Sequence, residues 1–165
     1  MYQDFGGERD LLAALIESIG QFRSDCLHKY DPEFAVTLQA FLSKLGVTSQ
    51  LVAIGRTTFG AEQNELSSSP IAHVVLRCFG TDWDAGGADA EKRFINEWFD
   101  FAQERTVFHR STETVDSLDE LCLVSCTPME PTAMATISES LAQAWTELAY
   151  PTQPREEEAV VDVPL

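Results

Sequence analysis

Basic residues are scarce: eleven Lys and Arg face twenty-seven Asp and Glu, for a formal net charge of -16. A surface that tracks phosphates needs Lys and Arg to release counterions, so direct binding to nucleic acid or anionic lipid is disfavoured. Long apolar runs are also lacking, and none approaches the roughly 20 residues of a membrane-spanning helix. No basic and then apolar leader with a small-residue cleavage site precedes the first helix pattern. The expectation is a cytoplasmic protein with reduced thiols. Its four cysteines, Cys26, Cys78, Cys122 and Cys126, include one CxxxC spacing without a second pair, which argues against zinc. His28 and His109 have no ligand spacing either, so neither metal nor cofactor is expected. There is no internal repeat.

What is present suits one compact domain. The chain has 165 residues, 44% of them hydrophobic, with ten Phe and three Trp to fill a core without disulfide or metal. Residues 1–150 read as a single α+β domain, a short antiparallel sheet packed on several amphipathic helices. Residues 151–165, with three Pro and the run Glu156-Glu157-Glu158, read as an acidic, flexible or partner-docked tail. Removing that tail is expected to leave the fold intact.

Periodicity places the elements. Leu11, Leu12, Leu15, Ile16, Ile19 and Phe22 predict a helix over 8–23, followed by a linker, 24–30, with Cys26 and His28. A second helix begins at Asp31 and Pro32 as cap and first residue, buries Phe34, Leu38, Phe41, Leu42 and Leu45, and stops at Gly46. Leu51 to Ile54 reads as a buried strand, 57–70 as a loop, and 71–79 as the clearest strand. That strand sets His73, Val75 and Arg77 on one face and Val74, Leu76 and Cys78 on the other. A tight hairpin at Gly80-Thr81 leads into Asp82-Trp83-Asp84 and is expected to pair Phe79 with Asp82. A third helix spans about 88–104, with Phe94, Ile95, Trp98 and Phe99 inward. In 106–126, Val107-Phe108 and Leu121 to Val124 are candidate strands and Ser117 to Glu120 a turn. The last helix is expected to start at a Thr127–Glu130 capping box with Pro128 first, and to run to Tyr150 on the stripe Met134, Ile137, Leu141, Trp145 and Leu148. Trp83, Trp98 and Trp145 read as core residues rather than ligand platforms.

Asp82-Trp83-Asp84-Ala85-Gly86-Gly87 fails as a calcium loop, because Gly86 and Arg93 stand where ligands are needed. It fails as a phosphate loop because no GK[ST] follows. His73 with an aspartate one hairpin later is a more productive pairing. It is either a base with its orienter or a hydrogen-bonded strand histidine.

The stretch 31–87 resembles the papain-like, transglutaminase-like fold of many small bacterial and phage proteins. The resemblance rests on Phe34-Ala35, Leu38, Leu51-Val52-Ala53, His73-Val74-Val75 and Asp82-Trp83-Asp84-Ala85-Gly86. It implies a papain-like core and a Cys-His-Asp triad, in which Cys attacks an acyl or amide carbon, His moves the proton and Asp fixes the imidazole tautomer. The family's cysteine falls near Asp31, which is no thiol; Cys26 lies five residues upstream. Gln21 resembles the oxyanion-hole glutamine of such enzymes. The candidate catalytic set is therefore Cys26, His73 and Asp84, with Asp31 and Asp82 as alternatives. Two readings follow. One is an acidic papain-like pseudoenzyme or protein-binding module, phage or mobile-element derived, that engages a protein partner with a basic surface. The other is a cysteine hydrolase or acyl-transferase.

Overall fold

A computed structural model describes residues 7–20, 22–101 and 105–149. The tail 151–165, Tyr150, Gln21 and the side chains of Trp98 and Phe99 lie outside what is described. The fold is α+β. The described elements are α1 (Glu8–Glu17), α2 (Phe22–His28), α3 (Asp31–Lys44), β1 (Gln50–Phe59), β2 (Glu65–Cys78), β3 (Thr81–Asp84), β4 (Gly87–Ala88), α4 (Ala90–Phe101), β5 (Arg105–Glu113), α5 (Val115–Val124) and α6 (Pro131–Ala149). The five strands form one antiparallel sheet in the order β4-β3-β2-β1-β5, so β2 and its His73 lie at the centre.

Strand alternation divides the core. Leu51, Ala53, Val74, Leu76 and Trp83 join Leu15, Ile16, Phe34, Leu38, Ile137 and Leu141 in the main cluster, under α1, α3 and α6. Val52, Ile54 and Val75 point the other way and meet Ala90, Phe94 and Phe108. α3 is enclosed rather than striped. Phe34, Ala35, Val36, Thr37, Leu38 and Leu42 are all buried, because the sheet covers one side and α6 another. Leu45, expected in its stripe, is 42% exposed. The helix starts one residue earlier than expected: Tyr30 is its N-cap, Asp31 its first residue and Pro32 its second. The Asp31 carboxylate accepts the Val74 N–H of β2 instead of capping the helix. Gly46, at φ +83°, ends it where a side chain would be strained.

Elsewhere the sequence reading needs correction. The predicted first helix is two: α1 ends at Glu17 with Ser18 as C-cap, and α2 begins at Phe22. The predicted linker is therefore mostly helical and carries Cys26 into the core. The predicted loop 57–70 is largely a long hairpin, with Thr57 opposite Ser68 and Thr58 opposite Ser67. Small hydroxyl residues can pair across strands, and that pairing is invisible in a window of polar composition. The turn after β2 is Phe79-Gly80, at φ +55° and +77°, and it pairs Cys78 with Thr81 and Arg77 with Asp82. The turn thus sits one residue earlier than expected, and the partner of Asp82 is two residues upstream of the expected Phe79. Strand β5 is longer than Val107-Phe108. The segment expected as a turn and strand is α5, started by a capping box in which Thr114 and Ser117 bond reciprocally. The final helix begins at Pro131, not Pro128.

Candidate functional site

The site is built where the centre of the sheet meets the start of α3. The first turn of α3 brings Asp31 against β2, where its Oδ2 accepts the Val74 backbone N–H at 2.7 Å. The same oxygen lies 3.1 Å from Nδ1 of His73. On the other side of the ring, Nε2 of His73 lies 2.8 Å from Oδ2 of Asp84. The hairpin explains that contact. With Leu76 opposite Trp83, Asp84 falls diagonal to His73 on the same sheet face, within reach of a side-chain pair.

Asp84 is anchored in turn. Its Oδ1 accepts the Gly86 backbone N–H at 2.7 Å and Nη2 of Arg93 at 2.8 Å. Arg93 also donates to the carbonyls of Gly87 and Ala88, at 2.9 and 3.1 Å. Glycine at 86 leaves the space this needs: a Cβ there would stand 2.6 Å from Nη1 of Arg93. The His73 ring stacks on Phe94, with centroids 4.8 Å apart and planes 11° from parallel. Phe94 meets Phe108 edge-on at 5.9 Å.

Charge inside the cluster is paired, two carboxylates with an imidazolium and a guanidinium. Burial alone would disfavour the imidazolium, but the hydrogen bonds and charges of Asp31 and Asp84 outweigh it, and the His73 pKa rises to about 9. Burial pushes the Asp84 carboxyl up, but the bonds from His73 and Arg93 dominate and hold it below the usual range. At neutral pH His73 is thus a cation with both N–H groups donated, not a base waiting for a proton. A small cavity of about 170 Å³ adjoins the cluster, lined in part by Asp31, His73, Asp84, Arg93, His28 and Glu97.

The sequence candidates separate accordingly. His73, Asp84 and Asp31 come together. Asp82 does not join them; it pairs with Arg77 at 2.8 Å. Cys26 is fully buried in the main core cluster. Burial, with Asp25 and Glu33 adding to it, pushes its thiol up to about 12. Both ring nitrogens of His73 face carboxylates, which leaves neither for a thiol. Arg93, Phe94 and Gly86 were not among the sequence candidates. The signal for Arg93 and Phe94 was helical spacing: they lie three and four residues beyond the buried Ala90, on the stripe that meets the sheet.

The chain matches no protein-family model, and neither a curated protein nor a solved structure shows significant similarity to it.

Proposed function

We propose that this chain is an acidic, papain-like pseudoenzyme of phage or mobile-element type, which acts as a protein-binding module. One observation carries the reading. Asp31 faces Nδ1 of His73 at 3.1 Å while Asp84 holds Nε2 at 2.8 Å. In a Cys-His-Asp arrangement the thiol faces one imidazole nitrogen and the orienting acid the other. Here a carboxylate that caps a strand amide occupies the first place. The hydrolase reading has less behind it, since the buried Cys26 has a raised pKa and both nitrogens of His73 face carboxylates. With chemistry set aside, the acid excess favours a partner that presents Lys and Arg, because complementary fields speed encounter and suppress wrong partners.

Restoring the thiol tests this. In Asp31→Cys the introduced sulfur should form a thiolate–imidazolium pair with His73. It should then react with iodoacetamide at mildly acidic pH faster than the exposed Cys126. Adding His73→Ala should remove that advantage. An introduced thiol no faster than Cys126 would overturn the papain-like reading. The partner is tested separately, by zero-length carbodiimide cross-linking in the source cell. Cross-links joining acidic side chains of this chain to lysines of one recurrent protein are expected; links scattered at background level count against a partner.

A further inference from the structure

Helix α5 follows strand β5 and doubles back beside it, which leaves a groove of about 350 Å³ between the two. His109 and Glu113 belong to the strand wall, on the odd-numbered face of β5. Ser117, Glu120, Leu121 and Val124 form the helix wall, since spacings of three, four and seven share one helix face. The His109 ring leans over Gly55, its partner on β1, where any Cβ would collide with it. Glycine at that place helps keep the groove open.

The groove is apolar at one end and acidic towards the other. Leu121 and Val124, the latter 76% exposed, stand in the last turn of α5, with Leu123, 56% exposed, beside them. Exposed apolar residues gathered in this way mark interaction surfaces more often than scattered ones do. Towards the turn into α5 stand Glu113 and Glu120, and no Lys or Arg lines the groove. Neither carboxylate has a hydrogen bond or an ion pair among the described residues. Glu113 is also half-buried, so its charge has lost part of its water without gaining a cation.

Charge selects the occupant. A second copy of this chain brings a net charge of -16. The chain's own residues 151–165 carry one Arg minus four acids, or -3. Nucleic acid and anionic lipid bring phosphates. Each would set like charge against Glu113 and Glu120. A protein segment with Lys or Arg supplies the missing cation instead. The two walls set its spacing. From Glu120 to Val124 the helix rises about 6 Å, and from Glu113 to His109 the strand runs about 13 Å. About two to four residues of extended chain span those lengths.

We propose that this groove receives an extended segment of a partner protein, in which a Lys or Arg lies about two to four residues from a Leu, Ile or Val. The cation sits between Glu113 and Glu120, and the aliphatic side chain covers Leu121 and Val124. This site rests on the protein-binding reading given above and fixes where the partner docks. It does not involve Asp31, His73 or Asp84.

Two measurements on the full chain test the site. The probe for the first is the peptide acetyl-Lys-Ser-Leu-Lys-Ser-Leu amide, with a control peptide that has Glu in place of Lys. In a nuclear magnetic resonance titration the Lys peptide should shift the amide signals of 109–113 and 117–124, and the control should not. Glu113→Gln together with Glu120→Gln should weaken the Lys peptide by about tenfold. Glu17→Gln together with Glu62→Gln, at two exposed acids elsewhere, should leave its binding unchanged. Equal losses in the two pairs, or shifts spread over the whole surface, would show attraction by net charge alone and overturn the site. The second measurement maps the carbodiimide cross-links formed in the source cell. Links from Glu113 or Glu120 to the recurrent partner are expected. A recurrent partner linked only at other acids would overturn the groove and leave the protein-binding reading standing, whereas the lack of any recurrent partner would sink both.

Discussion

The carboxylate of Glu33 accepts the backbone N–H of Glu130 at 2.8 Å, across 97 residues of chain. A donor left free at the approach to α6 is thus satisfied by a side chain of α3. Glu33 is only 4% exposed. Burial pushes its carboxyl above the usual range, and the backbone N–H groups that bond it pull the other way. Glu33→Gln keeps an acceptor and removes the buried charge, so its stability at neutral pH should stay within about 1 kcal/mol of the parent. Glu33→Ala strands the amide and should cost about 1–3 kcal/mol. Urea unfolding of both variants checks the contrast; equal losses would show that the charge itself matters.

The His73 cluster should make stability depend on pH in a stated direction. A histidine whose folded pKa is raised stabilises fully below its unfolded value, near 6.5. That contribution, at most about 3 kcal/mol for a rise to about 9, fades as pH climbs from about 6.5 through about 9. Asp84, whose pKa is lowered, contributes above its unfolded value and loses that contribution as pH falls through the folded one. Denaturant midpoints should therefore decline between neutral pH and about pH 9 in the parent. In His73→Ala they should stay flat over that window. That variant should also be less stable at neutral pH by about 3 kcal/mol, because the buried Asp84 and the partly buried Asp31 lose the cation between them.

Gly86 and Arg93 should behave as one unit. Gly86→Ala places a methyl 2.6 Å from Nη1 of Arg93 and 3.1 Å from Oδ1 of Asp84, so the guanidinium must move. Arg93→Ala removes the same contact from the other side. Each change should cost about 1–3 kcal/mol, and the double variant should cost clearly less than the sum. Additive losses in a double-mutant cycle would show that Gly86 matters for its backbone alone.

Thiol reactivity should rank the cysteines by exposure. Cys126 is exposed, whereas Cys26, Cys78 and Cys122 are buried. Burial lifts the thiols of Cys26, Cys78 and Cys122 to about 12, 11 and 11. Limiting alkylation read by mass spectrometry should mark Cys126 first and Cys26 only on unfolding. Early labelling of Cys26 in the native chain would revive the hydrolase reading.

The central strand and the start of α3 were legible because their signals are local. Alternation from Ala72 to Cys78 fixes which side chains share a face with His73, and Pro32 and Gly46 punctuate α3 at both ends. The partners of His73 were legible only in part. Asp84 was visible as an acid one hairpin on. Its reach depended on a register set by Phe79, which adopts a positive φ that its residue type does not advertise. The hydroxyl-rich hairpin and α5 were misread for a common reason. Each is decided by pairing or capping, Thr57 with Ser68 and Thr114 with Ser117, rather than by a hydrophobic period. Arg93 escaped because a cation on an amphipathic helix ordinarily faces water, and here it turns inward to a carboxylate.

The opening turn of α3 carries two acids, Asp31 and Glu33, whose amide partners lie 43 and 97 residues further along the chain. During synthesis these acids leave the ribosome early, well before Val74 and long before Glu130. Until then water is their only match, and the apolar side of α3 has neither sheet nor α6 to cover it. Closure of this core thus waits for the emergence of α6. A nascent chain halted before Glu130 would expose Phe34 and Leu38 and become a client for holding chaperones.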